Sequence, residues 1–226
     1  MRGPSRPPLL LLIPLAVERA ALLGATGGTA VRQVGMGPRR ALAAARRARH
    51  VAAGAVAVVG LCGALDDDLR PGDVVVAETV GAAGDDARLP TDAPGPLAAA
   101  LRAHGLDRVR LGHVVSSPTL VRGAERVRLA RRGAIAVDME SAWLRQAAGG
   151  RPFAVVRVVV DTPSTRLTRP GAAVCGFVRA ERALRRTLPA VRVWAGVAGE
   201  RHTPPASHRS SGAGAGAPAD GDHPEA

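Results

Sequence analysis

Apolar residues in this chain come in short unbroken runs separated by polar, glycine- or proline-containing stretches. The runs are Leu9 to Val17, Ala30 to Val34, Ala53 to Val59, Asp73 to Glu78, Leu111 to Val115, Ala134 to Val137 and Pro152 to Val160. Runs of that length with no polar alternation predict strands buried on both faces. Between them lie stretches of helical composition: Arg39 to His50, Pro96 to His104, Glu125 to Arg132, a segment from Ser141, and Gly171 to Leu188. Pro38 suits the first position of the first of these, and its Ala/Arg-rich body propagates a helix well. Val191 to Val197 predicts a final short packed element. Gly24 to Gly28, Gly81 to Gly95 and Thr162 to Arg169 predict loops, and Asp66 to Gly72 an acidic turn.

Strands alternating with helices predict an α/β fold, a single domain whose central sheet is covered by helices on both faces. The domain is placed at residues 9–198. Residues 1–8 form an Arg/Pro-rich flexible lead, and residues 199–226 a tail of Pro, Ser, Gly, Ala and His that is expected to be disordered. The run at Leu9 is interrupted by Pro14, enters Glu18-Arg19, and lacks a cleavage site. It is also too short to span a membrane, so a first strand is the better reading than a signal peptide. The expectation is a cytoplasmic protein with no stable membrane insertion.

The net charge of +12 invites a nucleic-acid partner. However, all 31 basic residues are Arg, with no Lys, Asn or Tyr and only two Ile and two Phe. That pattern is what G/C-rich coding imposes on a whole chain. The arginines are spread through helices and tail, and aromatics at 2% leave almost nothing on which bases could stack. No nucleic-acid partner is expected. Cys62 and Cys175 are too far apart for a metal motif, and the six histidines are scattered, so no metal site is expected.

Candidate chemistry centres on Gly133 to Leu144, where the apolar run Ala134–Val137 breaks into Asp138-Met139-Glu140 before Ser141. Carboxylates between a strand's C-terminal end and a helix start sit where α/β proteins place ligands. Capping is the structural alternative for both acids. Gly35-Met36-Gly37 leads a strand into a helix and presents backbone N–H groups suited to an anion or a sugar hydroxyl, or is simply a tight turn. Small residues in Gly60-Leu61-Cys62-Gly63-Ala64-Leu65 let the backbone approach a ligand, or turn a corner. Strands ending near Val59, Val137 and Val160 could converge on one cleft. The arginines of Glu125 to Arg132 read as a solvated face.

Taken in order, these pieces resemble the nucleoside phosphorylase/nucleosidase superfamily, which includes purine nucleoside phosphorylase and methylthioadenosine/adenosylhomocysteine nucleosidase. The matching pieces are Pro14-Leu15-Ala16-Val17-Glu18, Gly35-Met36-Gly37, Gly60 to Leu65, Arg70-Pro71-Gly72-Asp73, Val115-Ser116-Ser117, Ala136 to Ser141 and Val156 to Asp161. The resemblance implies a mixed sheet in an α-β-α sandwich, an enzyme that cleaves an N-ribosyl bond, a small nucleoside substrate and a homo-oligomer. It implies no cofactor, with phosphate as a possible co-substrate. It also implies roles. Asp161 is the acid at the purine N7, and Glu18 an acid near the nucleophile, one residue uncertain in register. Glu140 holds the ribose hydroxyls and Met139 packs under the sugar. Gly63, Leu120 and Val121 contact substrate, and Gly35 and Gly37 form an anion or sugar loop.

Departures from the family pattern sharpen the expectation. The phosphate-binding Arg and Ser of phosphorolytic relatives are replaced by Val58 and Leu61, and the base-stacking aromatic by Leu120. Loss of phosphate ligands favours hydrolysis, with Arg39 or Arg40 as substitute phosphate ligands in the alternative. The expected reaction releases adenine from a 5′-substituted adenosine. The compact form and the Asp-Met-Glu-Ser motif are similar to the hopanoid-associated branch, which implies an adenosyl-hopanoid precursor. A purine nucleoside phosphorylase and a catalytically silent nucleoside-binding module are the alternatives.

Overall fold

The computed structural model describes residues 9–22, 26, 29–163 and 170–202. In chain order the elements are β1 (Leu9–Ile13), α1 (Ala16–Ala21), β2 (Ala30–Gln33), α2 (Pro38–Ala48), β3 (Ala55–Ala64), β4 (Val74–Ala82) and β5 (Leu89–Pro90). They continue with α3 (Pro94–Ala103), β6 (Val109–Ser116), α4 (Ala124–Arg131), β7 (Ala134–Asp138), α5 (Ser141–Leu144), β8 (Phe153–Asp161) and α6 (Pro170–His202). The lead, most of the 24–28 link, the loop at 164–169 and the tail from 203 lie outside the described residues.

The sheet is mixed and runs β2-β1-β3-β7-β6-β4-β5, with β8 paired to both β3 and β4. Strand β8 is parallel to β3 and antiparallel to β4, and so closes β3, β7, β6, β4 and β8 into a ring. Alternate residues of the apolar strands enter two cores, as expected of strands covered on both sides. Leu9, Leu11, Ala57, Val156 and Val158 pack against α3 and α6. Leu10, Leu12, Val56, Val58, Phe153 and Val155 pack against α2 and the α5 region. A smaller core under α4 joins Leu65, Val121, Leu129 and Val137.

Several boundaries differ from the sequence expectation: β4 runs past Glu78 to Ala82, the expected loop at Gly81 to Gly95 contains β5 and the start of α3, and three further differences have a clear cause. Strand β1 stops at Ile13, because Pro14 cannot donate to a ladder, and the rest of that apolar run turns into α1. Strand β3 passes through Gly60 to Ala64 rather than ending at Val59, because β8 keeps pairing it as far as Gly63 opposite Asp161. The separate elements foreseen at 171–188 and 191–197 are one helix, α6, with Pro189 inside it, and it continues to His202, past the expected tail boundary at 199. An internal proline costs a helix about 3 kcal/mol. Burial of Leu184, Leu188, Val191, Trp194 and Ala195 along the same helix outweighs that cost.

Candidate active site

The C-terminal ends of β3, β7 and β8 meet at Gly63, whose partners are Val137 on one side and Asp161 on the other. A cavity of about 270 Å³ opens there, lined among others by Glu18, Met36, Gly63, Met139, Glu140 and Asp161. Leu120, Val121 and Phe177 also face it. Of the site residues expected from sequence, all but Gly35 and Gly37 line this one cavity.

Glu140 is buried at the N-cap of α5. Its Oε1 accepts a hydrogen bond from the Gly37 amide at 3.1 Å, and its Oε2 lies 3.7 Å from Nη2 of Arg157. Burial pushes its carboxyl up to about 7; Arg157 opposes the shift and Asp138 adds to it. Asp138 at the end of β7 turns inward. Its Oδ1 accepts from Ser116 Oγ at 2.5 Å and from the amides of Glu140 and Ser141 at 3.1 and 3.2 Å. Its Oδ2 makes an ion-pair contact with Arg157 Nη2 at 2.6 Å, off the line of a hydrogen bond. Asp138 thus fixes the chain turn that presents Glu140.

Glu18 lies in the first turn of α1, not at a strand end. This corrects the sequence expectation, and the cause is the break at Pro14. Its Oε2 accepts from the Leu15 amide at 2.7 Å, which closes the helix start, and its Oε1 accepts from the Leu61 amide at 2.7 Å. The side chain is buried, and desolvation raises its pKa against the pull of Arg157.

Arg157 is the residue behind these acids, and the apolar run Pro152 to Val160 hid it. It is fully buried, and its Nε and Nη2 donate to Ser141 Oγ at 3.2 and 2.9 Å. Its cross-strand neighbour on β3 is Gly60. A Cβ at Gly60 would stand 2.6 Å from Arg157 Nη1 and 2.7 Å from Glu18 Oε1, so glycine there makes room for the charged pair. A sequence signal for Arg157 existed: it interrupts an apolar run that reads as a strand buried on both faces, where a charge must be paired.

Asp161 ends β8 on the opposite side of the cavity, and burial raises its pKa while Arg126 lowers it. Arg126 donates through Nη2 to Asp161 Oδ2 at 2.5 Å. The expectation of a solvated arginine face on α4 is therefore wrong at this position: Arg126 is 8% exposed. It is three residues from buried Leu129, so it lies on the apolar face of α4, and that spacing was the available signal. Cys62 is buried beside the pair, and desolvation keeps its thiol protonated.

Two further expectations change. The amides of Gly35 and Gly37 are not free for an anion, since the first donates to the Pro14 carbonyl at 2.9 Å and the second to Glu140. Arg39 and Arg40 are exposed and do not line the cavity. Among the described residues lining it, the one cation is Arg126, already paired with Asp161. Leu120 forms part of the rim at 57% exposure, whereas Val121 is buried. No metal-binding cluster of His, Cys, Asp and Glu occurs among the described residues, and no helix among them is long and apolar enough to cross a membrane.

A family model described as the phosphorylase superfamily matches residues 21–171. Solved structures with the same fold include the 5′-methylthioadenosine/S-adenosyl homocysteine nucleosidase of Campylobacter jejuni, with a TM-score of 0.70 at 14% identity over 84% of this chain and 99% of that one. Futalosine hydrolase of Helicobacter pylori gives 0.64 at 17% identity, over 85% and 97% of the two chains. The Neisseria meningitidis 5′-methylthioadenosine/S-adenosylhomocysteine nucleosidase, in complex with methylthio-immucillin-A, gives 0.64 at 21% identity, over 82% and 97%. No curated protein matches the sequence.

Proposed function

The chain belongs to the phosphorylase superfamily, and from that premise we propose that it hydrolyses the N-glycosidic bond of a 5′-substituted adenosine-type nucleoside, releasing adenine. The observation that carries this reading is one cavity of about 270 Å³ that has acids on both of its sides. Glu140, Met139 and Glu18 stand on one side, and Asp161 stands on the other.

Glu140 keeps carboxylate capacity for the two ribose hydroxyls, because Gly37 and Arg157 engage only part of it. Met139 lies against the sugar. As the C1′–N9 bond breaks, its electron pair moves to the base and positive charge builds on the sugar, as in O-glycoside cleavage. Asp161 gives its proton to N7, a contribution of about 10²–10⁴-fold for a placed acid. Burial, which raises its pKa, keeps that proton available nearer neutral pH. Water adds to C1′ and loses a proton to Glu18, whose raised pKa suits a general base. Among the described residues, the cavity wall carries no unpaired cation placed to hold phosphate, which favours water as the nucleophile.

The test is chromatographic detection of adenine from purified protein given 5′-methylthioadenosine, adenosine or an adenosyl-hopanoid precursor, with and without phosphate. Adenine release independent of phosphate, abolished in Asp161→Asn with substrate binding kept, is expected. A strict phosphate requirement would establish phosphorolysis instead, and tight binding with no product a silent nucleoside-binding module. Sedimentation tests the homo-oligomer that the resemblance implies.

A further inference from the structure

Arg126 has no task in the reaction just described, yet it occupies the leaving-group end of the cavity. One guanidinium joins two separate features there. Its Nε donates to the Val121 carbonyl at 3.3 Å, and its Nη2 donates to Asp161 Oδ2 at 2.5 Å. Val121 follows Leu120 in the segment that faces the base, and Asp161 is the acid at N7. These are the two features that must flank one purine.

The surrounding backbone is shaped for the pair. A Cβ at Gly63 would stand 2.7 Å from Arg126 Nη2 and 2.9 Å from Asp161 Oδ1. Strand β3 therefore carries no side chain where the two meet, and Oδ1 is left beside Gly63 on the cavity wall. A planar fork with fixed donors can hold two acceptors at a set spacing, which a single ammonium cannot.

We propose that Arg126 is a positioning residue that braces Asp161 against the base-contacting segment, fixing their separation and turning Oδ1 of the acid towards the leaving base. The proposal rests on the nucleosidase reading of the site. Among the described residues, the cavity that holds Asp161 is also lined by Arg126 from α4, the protonated Cys62 thiol from β3, the apolar ring of Phe177 from α6, and the acids Glu18, Asp138 and Glu140. Asp67, Arg122 and Arg131 line an adjoining groove of about 840 Å³ that Arg126 and Asp161 also border. Arg126 is the charge acting directly on the acid.

The experiment compares wild type with Arg126→Gln, Arg126→Lys and Gly63→Ala in two readouts. One is kcat and KM against pH for 5′-methylthioadenosine. The other is the ¹³C titration of the Asp161 carboxyl in protein without substrate. Misplacement of about 1 Å can cost 10²-fold, so kcat of Arg126→Gln falls by roughly that factor with a much smaller change in KM. An opposite charge within a few ångströms lowers a carboxyl pKa by about 1–3 units, so the carboxyl midpoint and the alkaline limb of kcat both move up by about that amount. Arg126→Lys keeps the charge and restores the midpoint, but reaches one acceptor only and leaves kcat low. Gly63→Ala drives the pair apart with both partners present and reproduces the Arg126→Gln shift; it carries the test should Arg126→Gln not fold. An unchanged kcat plateau in Arg126→Gln, with the melting temperature lowered and the midpoint and limb displaced, would show a merely structural ion pair and overturn the proposal. Absence of base release from wild type would refute the nucleosidase reading instead. In that event the carboxyl titration alone decides, and an unmoved midpoint in Arg126→Gln still refutes the brace.

Discussion

Replacing Glu140 by Gln should make the protein more stable at alkaline pH while removing its activity. The carboxyl is buried at the start of α5, and its pKa is raised from 4.5 to about 7, chiefly by burial. A raised carboxyl means that the folded protein holds a proton that the unfolded chain has already released. Its contribution to stability is fully present below pH 4.5 and is lost as pH climbs through about 7. At about 1.4 kcal/mol per pH unit over that interval, ionising Glu140 costs the fold on the order of 3 kcal/mol. Gln keeps an oxygen for the Gly37 amide and gives up only the 3.7 Å contact to Arg157. With that loss and residual solvent at the cavity wall, a net gain of about 1–3 kcal/mol is expected above pH 8, shrinking to nothing near pH 4.5. Urea unfolding of both proteins at pH 5 and pH 8 measures it, with adenine release as the activity readout. An equal stability difference at the two pH values would refute the reasoning, because the effect would then not arise from ionisation.

Three other perturbations follow from the same geometry. Arg157→Met leaves buried Glu18 and Glu140 without their cation and should cost about 3–5 kcal/mol at neutral pH; part of the loss should return at pH 5 as these two acids take up protons, and urea titrations showing no return would count against the assignment. Gly60→Ala pushes a Cβ to 2.6 Å from Arg157 Nη1, which should lower stability by about 1–3 kcal/mol together with kcat, read by calorimetry and initial rates. Ser116→Ala removes the hydroxyl that donates to Asp138 at 2.5 Å and accepts from the Ala142 amide at 2.9 Å. Leaving the Ala142 amide without this partner and Asp138 Oδ1 with only the Glu140 and Ser141 amides should cost about 1 kcal/mol or somewhat more, seen as an earlier urea midpoint with an unchanged slope.

The strands were readable because burial on both faces leaves unbroken apolar runs, and the closing strands β7 and β8 end on the acids that the runs point to. Apolarity could not place the end of β1, since Val17 continues the run in sequence yet stands 42% exposed on α1. Gly60 and Gly63 read as a corner because the side chains that need their space, Arg157 and Arg126, are distant in sequence. Those two arginines escaped notice for a compositional reason. In a chain where every basic residue is Arg, a buried functional arginine looks like the solvated ones, and only its position on an inward face distinguishes it. The glycine turn at 35–37 misled in the opposite sense. Its Gly37 amide suits an anion, and the acid it found is the protein's own Glu140.

The double pairing of β8 gives the site an order of assembly in time. Glu18, Asp138 and Glu140 all leave the ribosome before Phe153 to Asp161, the strand that carries both Arg157 and Asp161. Until β8 slides between β3 and β4, the three earlier acids have no cation among them and stay hydrated and mutually repelling. Insertion of that one strand closes the ring, places one cation among the three acids and delivers the leaving-group acid together. Pairings this distant in sequence form slowly. Acquisition of ligand binding during refolding should therefore coincide with the last and slowest phase, and a nascent chain ending before residue 153 should be an open sheet with no site.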